Sequence, residues 1–409
     1  MPEPRAKQAG IVPDNPPHSR HPGRSDARAD APIVIIGTGL AGYTTARELR
    51  KRDTETRLEL VTADDGHFYS KPMISNALGR EQQPLDLPTA DAAGMAADLN
   101  ARVRTRTRVD SIDTQARQLH LDGEILDYSQ LVLALGADPV RLDLAGDADA
   151  LLSVNDLDDY ARFRNAIAGR RRIVVLGAGL IGCEFANDLA SAGYAVEVVE
   201  LFDYALGRLA PREAGEALSE ALGERGVTWH FGTACERVER DGDTLQVGLS
   251  DGRTLCADAV LSAVGLRPRT ALAAAAGLET DRGIVVDRLL RTSDPCVYAL
   301  GDCKQVDGLV LPFIMPIMHA VRALAKTLSG EPTRLRYPAM PVVVKTPAHP
   351  AVVSPPAPGS AGEWQVQRGP DGVRALYLDG AGATLGFVLT GKRIVEKAAL
   401  GKQLPALLE

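Results

Sequence analysis

Ile33-Val34-Ile35-Ile36-Gly37-Thr38-Gly39-Leu40-Ala41-Gly42-Tyr43 is the stretch whose reading decides the fold. Four β-branched apolar residues run straight into Gly-x-Gly-x-x-Gly. A helical pattern follows through Ala46 and Leu49, then a polar stretch over 50–56, then the strand-like Leu58-Glu59-Leu60-Val61-Thr62. Strand, glycine turn, helix, strand is the order that a dinucleotide-binding unit requires. The three glycines do different things. Gly37 makes the tight turn, Gly39 lets the backbone approach a pyrophosphate, and Gly42 lets the helix pack on the sheet. The helix N-terminus then offers free N–H groups and the positive end of its dipole to phosphate. An acid near the end of the second strand would hold a ribose. Asp64 and Asp65 stand slightly beyond that place.

The same unit returns about 140 residues later. Ile173-Val174-Val175-Leu176 runs into Gly177-Ala178-Gly179-Leu180-Ile181-Gly182, a helix follows through Glu184, Phe185 and Leu189, and Val196 to Glu200 reads as the next strand. Glu200 lies 18 residues after Gly182 at a strand end. A carboxylate there accepts hydrogen bonds from both ribose hydroxyls and repels a 2′-phosphate, which favours NAD. Two complete units imply two dinucleotides, and an oxidoreductase holding two usually carries a flavin in one.

Composition narrows the rest. With 45% hydrophobic and 24% charged residues, the chain has the make-up of an ordinary globular protein. A net charge of −7 gives no footprint for nucleic acid, and no apolar run reaches the ~18 residues of a membrane span. Residues 1–31, with six prolines, mixed charge and no apolar segment for secretion, are expected to be a disordered extension. A cytoplasmic location and a monomer are expected. The five cysteines (Cys183, Cys235, Cys256, Cys296, Cys303) show no CxxC spacing, and the histidines show no ligand spacing, so neither a local redox disulfide nor a metal site is expected.

Three more segments carry a resemblance. YSQLVLALGADP (128–139) and ADAVLSAVGLRP (257–268) are apolar strands ending in small-residue turns, as at a crossing between domains, and YALGD (298–302) is a strand ending in Gly-Asp. With the two glycine turns, this order resembles the FAD-dependent pyridine nucleotide–disulfide oxidoreductases. In detail the chain is similar to the rubredoxin–NAD reductases, through IIGTGLAGY (35–43), TADDG (62–66), YSKPM (69–73), LGAGLIGCEFANDL (176–189), SAVGLRPRT (262–270), RGIVVDR (282–288), YALGDC (298–303) and VVVKTPAHP (342–350).

The resemblance implies an α/β fold with two Rossmann-like domains, the FAD domain discontinuous, plus a small α+β C-terminal domain. Its boundaries fall at 32–141 (FAD, first segment), 142–263 (NAD), 264–330 (FAD, second segment) and 331–409. It places FAD contacts on Thr38, Gly39, Leu40, Ala41, Thr62, Ala63, Lys71, Val109, Asp302, Ile314 and Lys345. Rubredoxin, a small iron protein, is the implied acceptor and NADH the donor. The C-terminal part is expected to contain strands over 341–345, 374–378 and 386–390 and a helical tail over 392–408.

Relatives with a thiol relay carry cysteine soon after the first unit. Here that region is His67-Phe68-Tyr69-Ser70-Lys71-Pro72-Met73. Without a thiol, the flavin hands electrons onward directly. Lys71 and Glu184 are the expected catalytic pair, an ion pair close to the flavin ring; the bland alternatives are a solvated loop lysine and an exposed acid near a helix start. Cys183 and Cys303 read as buried packing residues. Two other readings stay open: a ferredoxin reductase of an oxygenase system, whose members usually have Arg where Lys71 stands, and a flavin- and NADH-binding signalling protein without steady turnover.

Overall fold

The computed structural model describes residues 30–409; most of the expected N-terminal extension, residues 1–29, lies outside them. Ile33–Ile36 is the central strand of a five-stranded parallel sheet, ordered Val297–Ala299, Gln130–Leu133, Ile33–Ile36, Leu58–Val61, Arg102–Arg104. Arg172–Leu176 holds the same place in a second parallel sheet, ordered Leu151–Leu152, Ala259–Ser262, Arg172–Leu176, Ala195–Glu200, Val227–Phe231. Apart from the exposed Arg172 that opens the second, both central strands are apolar without alternation because a parallel sheet is covered on both faces. All four residues of Ile33–Ile36 and of Leu58–Val61 are buried. Glu59, buried among them, is matched by Arg104 at 2.9 Å on the neighbouring strand.

In each sheet the chain leaves the central strand with neighbours on both sides, which is where a doubly wound sheet opens its ligand crevice. The two halves are tied by an antiparallel pair, Ala137–Pro139 with Leu266–Pro268, the ends of the two crossing segments. The C-terminal part is a five-stranded antiparallel sheet, ordered Val342–Val344, Ala351–Ser354, Thr384–Thr390, Gly372–Leu378, Glu363–Gly369.

Two local expectations change. The helical tail expected over 392–408 is a short 3-10 helix, Gly391–Glu396, and one α-helical stretch, Lys397–Gly401. Pro405 cannot donate to a continuing helix, and Leu408 instead pairs with Tyr337, its N–H and C=O both bonded to that residue's backbone. The strand read up to Asp302 stops at Ala299, because Gly301 turns the chain with φ +81° into the 3-10 helix Gly301–Cys303. Among the described residues no helix is long and apolar enough to cross a membrane.

The helix Leu180–Ser191 is buried on nearly all sides, polar residues included: Glu184, Asn187 and Asp188 are all out of water. An amphipathic surface helix would expose such residues. Here the helix lies between its own sheet, the 3-10 helix Lys71–Asn76 and the C-terminal sheet, and those three polar side chains bond across to the segments around the other two elements. Asp188 accepts backbone N–H bonds from Leu78 and Gly79 at 3.0 and 2.8 Å, and Asn187 accepts from the Ala348 N–H at 3.1 Å. Asp188→Ala would orphan two backbone donors. We expect it to cost about 2 kcal/mol, read as a lower Tm in thermal unfolding.

Candidate active site

The two glycine turns have the same geometry. Gly37 and Gly177 take φ of +110° and +97°, which an L side chain rarely adopts. A Cβ on Gly42 or Gly182 would come within 1.9 Å of the carbonyl oxygen of Gly37 or Gly177. A Cβ on Gly39 or Gly179 would meet nothing within 4 Å. The first and third glycines are thus required by the protein's own packing, whereas the middle one faces open space at a helix N-terminus. Both turns fit a pyrophosphate.

The acids beside them are placed accordingly. Glu200 accepts from the Ala178 N–H at 2.5 Å and the Phe202 N–H at 3.1 Å, which fixes its carboxylate against the second turn. Asp64, although late in sequence, is drawn back to the first turn. It accepts from Thr62 Oγ1 at 2.6 Å, the Gly66 N–H at 2.9 Å and Thr38 Oγ1 at 3.2 Å.

Lys71 and Glu184 do not pair with each other. Glu184, 3% exposed, forms an ion pair with Lys345 Nζ. It also accepts from Ser75 Oγ at 2.5 Å and from the Lys345 N–H at 2.9 Å, while Lys345 Nζ bonds Ser75 Oγ at 2.9 Å. Lys71 donates instead to Asn155 Oδ1 at 2.6 Å, and Asn155 is held by the Ala137 carbonyl at 2.9 Å. The reason is local: Ser75 and Lys71 lie at opposite ends of the helix Lys71–Asn76, and only the later residues reach the helix that carries Glu184. Neither bland alternative holds, since Glu184 is buried and Lys71 is half-buried.

Burial pushes the Lys71 amine below its ordinary range, with Asp302 opposing. Burial also raises the Asp302 carboxyl, opposed by Lys71 and Lys304. An open polar groove of about 590 Å³, lined by Asp138, Arg141, Asn155, Asp156, Arg267 and Arg269, adjoins Lys71 through Asn155.

The remaining expected contacts are spread around the first sheet. Leu40 and Ala41 open the helix Leu40–Arg50, and Ala63 follows the second strand. Val109, half-buried, packs against that sheet's core. Ile314 and Met315 are exposed apolar residues at the N-terminus of the helix Ile314–Leu328. Sequence reading missed Ser75, Asn76, Asn155 and Asp188. The spacing of Glu184 and Asp188, four apart on one helix face, was the available signal for the last.

The cysteines are all free thiols. Cys183 and Cys303 are buried and donate weakly to the Ala178 and Leu300 carbonyls. Burial pushes the Cys303 thiol up to about 11 and that of Cys183 higher still, so neither supplies a thiolate near neutral pH. Among the described residues no cluster of His, Cys, Asp or Glu could hold a metal.

Residues 31–326 match the family described as pyridine nucleotide-disulphide oxidoreductase. The chain belongs to that family. FAD and NADH are its two dinucleotides. Residues 334–404 match a second family, the rubredoxin binding C-terminal domain. A rubredoxin-NAD(+) reductase of Alcanivorax borkumensis is 49% identical over 92% of this chain and 99% of its own length. Its counterpart from Acinetobacter baylyi is 45% identical over 92% and 98%. Among solved structures, the ferredoxin reductase for the CYP199A2 system of Rhodopseudomonas palustris superposes with a TM-score of 0.83 at 27% identity, covering 91% of this chain and 95% of its own. Within the oxidoreductase family, then, the chain stands with the rubredoxin-NAD(+) reductases.

Proposed function

We propose that this chain takes hydride from NADH at the second glycine turn's site and passes single electrons to rubredoxin through FAD held on the first. The observation that carries the reading is the C-terminal part: residues 334–404 match a rubredoxin-binding domain, and its Lys345 reaches into the junction of the two dinucleotide units to bond Glu184. Bound FAD supplies the conversion from a two-electron donor to one-electron acceptors. The protein's residues bind, orient and polarise.

Glu184, Ser75 and Lys345 form the polar wall where the three parts of the fold meet, and would position the nicotinamide against the flavin. Lys71, held by Asn155, lies close enough to Asp302 for each charge to act on the other, and the Asp302 carboxylate would accept from the ribityl chain. Glu200 would hold the ribose of NADH. Glu200→Ala is expected to raise KM for NADH about tenfold, the scale of one lost charged hydrogen bond, and to narrow the NADH-over-NADPH preference in steady-state assays.

Electron balance provides the test. Each NADH gives two electrons and each rubredoxin takes one, so an anaerobic titration should bleach two rubredoxins per NADH. A ferredoxin reduced in preference to rubredoxin would favour the oxygenase-system reading. Absence of steady NADH oxidation with any acceptor would favour the signalling one. We further read the chain as a cytoplasmic monomer, which sedimentation and cell fractionation check.

A further inference from the structure

Lys304 is 1% exposed, at the first position of the strand Lys304–Val306 and directly after the turn that carries Asp302. The strand's main chain pairs with Ile284–Val286, which anchors the backbone and offers the ammonium nothing. Among the described residues Nζ makes no hydrogen bond. Its neighbours are the Tyr337 ring, 5.6 Å from Nζ to the centroid, and the charge of Asp302. The Tyr337 hydroxyl is itself buried without a partner among the described residues, and the His319 ring stands edge-on to Tyr337 at 6.2 Å between centroids.

A buried ammonium without a hydrogen-bonded partner is costly, and a methionine of similar length would fill the same space without that cost. The Tyr337 ring offsets part of that cost, and the position of Lys304 relative to Asp302 gives the charge a use. Asp302 stands between two lysines, Lys71 and Lys304, both of which lower its pKa against burial. A flavin lying against Asp302 gains negative charge on reduction, and a nearby cation favours the charged state, more strongly at low effective dielectric.

We propose that Lys304 is a positioning charge that acts beside Asp302 to favour the reduced flavin, and that its own affinity for a proton therefore rises when the flavin is reduced. The balance is simple. Hydride from NADH brings two electrons and one proton; a neutral Lys304 amine takes a second proton from water and returns it when the electrons leave. Burial pushes this amine down to about 8, with Cys303 and Asp302 opposing, so it is cationic at neutral pH and neutral above about 8.

The other titratable groups around it do not interfere. The Cys303 thiol lies near 11, burial raises the Tyr337 phenol further, and burial and Arg322 push His319 down. Lys71 is separated by the variants below. The inference rests on the proposed placement of the flavin against Asp302.

The test is the flavin midpoint potential against pH, measured anaerobically with a reference dye on the FAD-loaded protein. The wild type should take one proton per two electrons near pH 7, add about half of a second proton between pH 8 and 9, the peak that a tenfold coupling allows, and fall back toward one above that. Lys304→Met should shift the reduced-to-oxidised ratio at pH 7 on the order of tenfold toward oxidised, the scale of one charge acting across several ångströms, and should lose the second proton. Lys304→Arg should keep the ratio and lose the second proton. A wild-type potential and proton count in Lys304→Met would overturn the proposal, as would a steepening that survives there and so belongs to Lys71. Should Lys304→Met not fold, a wild-type profile without steepening up to pH 10 overturns it alone. Asp302→Asn tests the underlying placement separately: unchanged FAD retention and potential there would remove the flavin from Asp302, whatever Lys304 does.

Discussion

Lys345→Met is expected to slow flavin reduction by NADH by about 10- to 100-fold, which is ~1.4–2.7 kcal/mol at the barrier. Glu184→Gln should fall in the same range, and the double variant should be no slower than the worse single. That non-additivity is the signature of two residues acting as one unit. The geometry requires it, because Glu184 receives Lys345 twice, through Nζ and through the backbone N–H. The two singles differ in stability. Glu184→Gln keeps an acceptor for the Lys345 N–H, whereas Lys345→Met leaves a buried carboxylate with Ser75 and one backbone donor, and removing one member of a buried pair is strongly destabilising. The lysine is partly exposed, which reduces that penalty. Stopped-flow absorbance at the flavin band, beside a melting curve for each variant, separates the two effects. Unchanged hydride-transfer rates in both singles would remove the pair from the mechanism and leave Lys71 as the residue to substitute next.

Gly42→Ala and Gly182→Ala should have large and different consequences although they are the same lesion. In each, the new methyl meets the carbonyl oxygen of the first glycine at 1.9 Å, so the turn must open and its phosphate cradle is lost. If the first turn holds FAD, Gly42→Ala will purify with less than about a tenth of its flavin, given the several kcal/mol that such overpacking costs. Gly182→Ala will keep its flavin and its reaction with artificial reductants, while KM for NADH rises more than about tenfold for the same reason. Flavin content by absorbance and NADH kinetics read the pair. Flavin loss from Gly182→Ala alone would exchange the two assignments.

What the sequence made legible is local. Two Gly-x-Gly-x-x-Gly turns, each between an apolar strand and a helix, are fixed by steric rules that act within a few residues, and both sit where expected at the centre of their sheets. Glu200 is of the same kind, since a strand end one helix later is a fixed distance away. Glu184 was legible as a place and not as a partnership. Its cation lies 161 residues on, and nothing in either segment states that VVVKTP folds back on that helix. Lys71, near in sequence to the flavin unit, was the natural partner to expect, and a short 3-10 helix points it the other way. Asp64 looked too late by position, and a cluster of hydrogen bonds from Thr38, Thr62 and Gly66 brings it home. Lys304 gave no signal, because a lysine two residues after Gly-Asp reads as exposed until the segment carrying Tyr337 closes over it.

Electron delivery to rubredoxin is tested most directly by anaerobic rapid mixing of the NADH-reduced protein with oxidised rubredoxin, beside a ferredoxin and a small disulfide as alternative acceptors. Rubredoxin should bleach fast, ferredoxin should be reduced more slowly, and the disulfide should stay intact, because the segment over 67–73 carries no thiol to relay electrons. Preferential reduction of the disulfide would contradict this mechanism, and so would a rubredoxin that stays oxidised while the flavin remains reduced.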